Sequence, residues 1–205
     1  MVEKVIDGVT VTVPADDTFS TCLGDWESSR LCYRQDATTS ADPTVPATAP
    51  SADAGTSPAA VTITDLVRFA PSAITVVAEP DNLGVVGLPT NLVADAPVTT
   101  QRAALFGHPV TVRFTPTDFT FVHGDDTIAS AATGGASWAA LQVPPFTPTD
   151  TSHIYRTRGT YDARVDVTYT AEVDLGAGWV TVPGTLTITG ASQQLRIYEA
   201  YTALV

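Results

Sequence analysis

Two short stretches hold most of the side chains able to do chemistry. "FTFVHGDDT", Phe119 to Thr127, brings a histidine, a glycine and paired carboxylates together, and "HIYRTRGTYDARVDVTY", His153 to Tyr169, begins with a histidine and a tyrosine two apart. A carboxylate in a glycine turn accepts hydrogen bonds from backbone amides and from an imidazole on a neighbouring strand, so Asp125 and His153 read as a structural pair. Nucleophilic hydrolysis would need a serine on a strained elbow or a cysteine beside a histidine. No GxSxG stretch occurs, and a loop turn accounts for the glycines near Ser137 in "TGGASW". His108, His123 and His153 share no close i, i+2 or i, i+4 spacing and have no spare cysteines, so the spacing predicts no zinc site. The acidic turns at Gly124 to Asp126 and Ala15 to Asp17 lack the alternating ligand series of a calcium loop. Glu172 and Asp174 share a strand face, which in an acidic chain reads as solvated surface. The expectation is of a protein that is not an enzyme, with no cofactor and no metal.

The element that must carry the second stretch is a strand. Tyr161, Ala163, Val165, Val167 and Tyr169 fall on one parity and Asp162, Arg164, Asp166 and Thr168 on the other, which predicts a half-buried strand. Gly159 ahead of it is expected to supply the positive backbone angle of a tight turn. Similar short runs continue to the end: "ITVVAEP", "HPVTVRFTP", "DFTFVHG" and "GWVTVPGTLTITG", punctuated by Gly, Pro, Asp and Asn. With valine and threonine abundant and helix formers scarce, this pattern predicts an all-β antiparallel sandwich. Asp174 to Gly178 read as a hairpin turn. The one helix candidate is short, capped by Thr64 or Asp65 and stopped before Pro71.

The chain has 205 residues, with 10 basic and 22 acidic side chains for a net charge of -12. That is long enough to bury roughly two-thirds of its unfolded surface. The charge argues against nucleic acid and anionic membrane surfaces, both of which need clustered Lys and Arg. No apolar run is long enough to span a bilayer, and "MVEKVIDG" lacks a secretory apolar core, as the start of a mature exported chain would. Val5 to Val13 reads as one strand. Cys22 and Cys32 close "CLGDWESSRLC"; a disulfide is the expected state, contributing about 2.5 to 3 kcal/mol in the chain-entropy model, and it implies an oxidising compartment. Residues 37–60, rich in Pro, Thr, Ser and Ala, read as an extended linker. The expected organisation is therefore an N-terminal segment with a disulfide loop over 1–36, the linker, and a sandwich domain over 61–205.

The run His153-x-Tyr155-x-x-x-Gly159-x-Tyr161-x-x-x-Val165-x-Val167 resembles the signature of PKD (polycystic kidney disease) domains, and "FTFVHGDDT" stands where that family has an aromatic pair and a GDG turn. This chain has Phe119 in place of the family's tryptophan, lacks the second glycine, and carries a longer insertion between the two motifs. "DLVRFAP", "VRFTPTDFTF", "GASWAAL" and the cysteine pair before a proline-rich linker resemble exported PKD-containing proteins of actinobacteria. The resemblance implies an immunoglobulin-like sandwich at an extracellular or cell-surface location. It also implies a structural clamp formed by Asp125, His153, Tyr155, Gly159 and Tyr161.

Together these readings lead to the expectation of a non-enzymatic structural or adhesive module whose partner is a surface protein or glycan. Trp138 and Trp179 read first as packing aromatics. The alternative is a carbohydrate-binding module in which Trp138, Trp179, Tyr198 or Tyr201 stacks on sugar rings. The terminal "LRIYEAYTALV" is apolar with few charges and reads as an edge strand open to self-association.

Overall fold

The structure is a computed structural model describing residues 1–6, 8–13 and 61–201. Cys22, Cys32 and the linker over 37–60 lie outside the described residues. Among the described residues twelve strands make two sheets. The first nine-stranded sheet contains β1 (Val2–Ile6), β2 (Val9–Val13), β4 (Leu83–Val85), β6 (Thr99–Leu105), β7 (His108–Val122), β8 (Ile128–Ala131), β10 (Gly159–Asp174), β11 (Trp179–Ile188) and β12 (Gln193–Tyr198). The second holds β3 (Val77–Glu79), β5 (Pro89–Val93) and β9 (Ser152–Ile154). All pairings are antiparallel except that of β12 with β4. The outcome is the expected all-β, sandwich-like architecture, with the larger sheet curled around a shared core.

β10 is the spine of this arrangement. Its first residues, Gly159 to Ala163, pair with β12, and from Val167 onward it lies between β7 and β11. The alternation read from the sequence is realised: Ala163, Val165, Val167, Tyr169, Ala171 and Val173 are buried, while Asp162 is exposed and Arg164, Asp166 and Thr168 are partly so. Opposite them β7 contributes Val112, Phe114, Phe119 and Phe121 to the core. An extra residue at Thr117, where the register jumps between Asp118 and Pro116, keeps these aromatics pointing inward along a strand too long to stay flat. Each such side chain stabilises the fold by about 1.5 to 3 kcal/mol through burial. The hairpin after β10 is as expected, with the Asp174 carboxylate accepting the amides of Gly176 (2.8 Å) and Gly178 (3.0 Å).

Four expectations need correction. Val5 to Val13 is not one strand, because Gly8, at φ 79°, turns the chain between β1 and β2. This hairpin is also no appendage: β2 pairs with β11 and buries Val11, so residues 2–13 belong to the main sheet. The helix α1 (Ile63–Leu66) starts two or three residues earlier than read. Thr62 is its N-cap and Asp65 closes a capping box, accepting from the Thr62 amide (2.9 Å) and hydroxyl (2.7 Å). Finally, β12 is not an edge. Arg196 to Tyr198 pair in parallel with Leu83 to Val85, so the strand is covered on both sides, and the tail over 202–205 lies outside the described residues.

The insertion between β8 and β9 is tied down by polar contacts. The glycines of "TGGASW" lead into α2 (Trp138–Leu141), whose N-cap Ser137 hydroxyl accepts the Ala140 amide at 3.1 Å. Asn91 on β5 is fully buried and bridges three segments. Its amide group donates to Glu79 (2.7 Å) and to the Ala136 carbonyl (2.9 Å), and its oxygen accepts the Thr149 hydroxyl (2.6 Å). Glu79 also accepts the Trp138 amide at 2.8 Å. Asn91→Leu is accordingly expected to cost about 2 to 3 kcal/mol in urea unfolding, since it strands the Ala136 carbonyl and the Thr149 hydroxyl in the interior.

Candidate functional site: a histidine and carboxylate cluster

The two motifs meet at one end of the sandwich. The turn joining β7 to β8 carries His123, Asp125 and Thr127, and β9 presents His153 against it. Gly124 makes the approach workable: it has φ 84°, and a Cβ there would come within 2.8 Å of the Asp162 backbone nitrogen and oxygen. His153 Nε2 donates to Asp125 Oδ2 at 2.7 Å, while the other carboxylate oxygen takes the Thr127 amide (3.2 Å) and hydroxyl. A carboxylate only accepts, so the Thr127 hydroxyl spends its proton on Asp125. His123 Nδ1, 2.9 Å from that hydroxyl, must therefore be the protonated nitrogen of a neutral ring.

The tyrosines complete the cluster. Tyr155 is fully buried, donates to the His123 carbonyl at 3.0 Å, and meets the His153 ring edge-on with 4.6 Å between centroids. Burial, followed by the charges of Asp125 and Tyr161, raises its hydroxyl well above the ordinary tyrosine range. Tyr161 stacks obliquely on Tyr155 and donates to the Thr157 carbonyl at 2.9 Å. Gly159 belongs to this set for a reason other than the one expected. Its backbone angle is not positive; it is the first residue of β10, and a Cβ added there would meet the edge of the Tyr161 ring at 3.5 Å. All five side chains or glycines read as a clamp are thus gathered into one place.

Sequence spacing missed His123. Its ring lies parallel to that of His153, with 3.9 Å between centroids and 6° between planes. Burial, then the neighbouring His153, lowers its pKa from the ordinary value to about 4. Burial alone would raise Asp125, but the hydrogen bonds from Thr127 and His153 outweigh it and hold the carboxyl below its usual range. The Asp125 carboxylate thus bonds His153 directly and reaches His123 only through the Thr127 hydroxyl, and burial keeps the His123 ring neutral at neutral pH.

Three ligating groups of His123, Asp125 and His153 lie within 4.8 Å of one another, although their spacing in the sequence predicted no metal site. The stacking argues against a single ion. An imidazole ligates in its own plane, and two parallel rings share no such point, so an ion about 2.1 Å from both nitrogens would be far out of both planes. The Thr127 hydroxyl, the one hydroxyl bonded to these histidine rings among the described residues, gives its proton to the carboxylate and not to either ring. Two shallow grooves, about 350 and 550 Å³, lie elsewhere, on either side of Val77 and Glu79.

Of the aromatics, Trp138 is the packing residue it was first read as and not a sugar-stacking one: it is 5% exposed, its indole N–H donating to the Thr147 carbonyl at 2.8 Å. Trp179 is 40% exposed on the outer face of the large sheet. The Arg113 guanidinium lies 4.2 Å from its ring centroid and is held by Glu172 through contacts of 2.7 and 2.8 Å. Tyr198 and Tyr201 are exposed. His108 is remote in the chain at the start of β7 and exposed. Comparison of the chain with protein-family models, curated proteins and solved structures finds no match in any of the three.

Proposed function

We propose that this chain is a non-enzymatic structural or adhesive module acting outside the cell or at its surface. The observation that carries the reading is the closure of the histidine and carboxylate cluster: every polar hydrogen identified there is committed to a partner inside it, and neither groove opens onto it. Such a network favours architecture over turnover. The resemblance to PKD domains and the acidic, almost lysine-free composition support an exported location. Protease shaving of intact cells of the native host, followed by peptide mass mapping, tests the location: release of this chain's peptides supports it, and confinement to the cytosol overturns it. Ester or glycoside hydrolysis by the wild type that disappears in Asp125→Asn, assayed well below both melting midpoints, would overturn the non-enzymatic part.

Trp179 favours a second reading, a carbohydrate-binding surface. Its ring is held rigid by Arg113 on an outer face rich in threonine, leaving aromatic area free for a pyranose ring. On this reading Trp179→Ala abolishes glycan-array signal while shifting stability by less than about 1 kcal/mol. Retention of the signal in that variant would dismiss Trp179 as the platform.

A further inference from the structure

The edges of the two sheets are unequally defended. On β3, Asn82 occupies both groups of Ala78 that a new strand would need, donating its amide to the carbonyl (2.7 Å) and accepting the N–H through its side chain (2.9 Å). On β6, Arg68 donates to the Ala104 carbonyl at 2.7 Å. β4 and β9 are three residues long, with the Val85 carbonyl and the Ser152 amide turned back into their own turns. β1 carries Glu3 and Lys4, and two-fold antiparallel pairing would set like charges opposite each other. These are devices that discourage strand addition.

β8 has none of them. Its sequence is Ile-Ala-Ser-Ala, without charge or proline, and Ile128, Ala129 and Ser130 are exposed. Among the described residues it pairs only with β7. The His123 amide donates to the Thr127 carbonyl at 3.1 Å, which sets the alternation of the ladder. Residues 127, 129 and 131 turn their main chains toward β7, and Ile128 and Ser130 turn theirs outward.

We propose that β8 is a homophilic edge through which two copies of this chain join, antiparallel, into one continuous sheet. An axis through Ala129 places Ile128 of each copy opposite Ser130 of the other, satisfying the outward amides and carbonyls of both residues. The two Ile128 side chains, 66% exposed in the single chain, then become diagonal neighbours on the outer face. Each copy carries a net charge of -12, and in this register no charged residue of β8 faces another across the contact, so the local pairing adds no repulsion to that of the whole molecules. Self-association expected from the sequence at β12 is thereby reassigned to a strand whose outer edge has no partner among the described residues.

Sedimentation equilibrium over a wide concentration range tests this on the full chain. The expected result is a mass rising from 21.4 kDa toward twice that value. Ile128→Lys and, separately, Ser130→Pro should weaken association by about tenfold or more with the melting midpoint unchanged, because neither removes a bond to β7. Ala129→Cys should cross-link to itself across the axis, where opposed Cα atoms are about 4.5 Å apart, and Ser130→Cys should not. Peptide mass mapping separates this bond from any formed by Cys22 or Cys32. A monomer at every concentration, association untouched by Ile128→Lys, or cross-linking at Ser130 in place of Ala129 would each overturn the proposal.

Discussion

Asp125→Ala is expected to lower the unfolding free energy by about 3 kcal/mol, and the melting midpoint by about 6 to 12 °C. The carboxylate is the principal acceptor for His153 Nε2–H, which otherwise has only the Thr127 hydroxyl oxygen at 3.5 Å, and it accepts the Thr127 hydroxyl and amide. Its removal leaves three donors without their main partner at the junction of β7, β8 and β9. The side chains of His153 and Asp125 retain 16% and 20% exposure, so the cost should fall short of that for a fully buried pair. Asp125→Asn keeps one acceptor oxygen and should lose about half as much. Urea unfolding of Asp125→Ala, His153→Ala and the double variant gives the coupling between them; a coupling below about 0.5 kcal/mol would show that the cluster does not brace the fold.

Acid should unfold this protein early, and His123 sets the direction. Its ring binds a proton at an ordinary pH of 6.5 when the chain is unfolded but only at about 4 when folded. Between those values the unfolded chain takes up more protons, so stability is full above about 6.5 and falls as the pH drops. By pH 4 the loss reaches about 3 kcal/mol. Asp125 extends the loss in the same sense to lower pH, because its carboxyl is held below the usual range and its contribution, intact above about 4, disappears as the pH falls through the folded value. Urea midpoints from pH 8 to pH 4 should therefore decline steeply below about 6.5. His123→Asn, which keeps a donor for Thr127 but cannot titrate, should flatten the decline. A wild-type curve level down to pH 4.5 would contradict the assignment.

The parts of the molecule governed by local rules were legible in the sequence. Alternation along Tyr161 to Tyr169 located the spine strand and its inner face, and the glycines and Asp174 located the hairpin, since side-chain period and turn chemistry are encoded residue by residue. Asp125 and His153 could be paired because a carboxylate in a glycine turn needs donors. His123 could not be recognised as the third member. Its parity on β7 is an ordinary core position, and only the docking of β9 brings another imidazole over its face. The buried Asn91 and the half-buried Glu79 were equally silent, because apart from each other what they bond to lies some 45 to 59 residues away in the chain. The coverage of β12 by β4 depends on a parallel contact between segments more than a hundred residues apart, which no local pattern records.

The docking of the segment between β8 and β9 limits how this chain could be shortened. Although it interrupts the two motifs like an accessory loop, excising it to leave a minimal sandwich would uncover the Asn91 amide and the Glu79 carboxylate and remove the cover from Trp138's own binding place against β3. What looks in sequence like a dispensable excursion is part of the interior, and a trimmed version would need apolar replacements at both polar positions before it could fold.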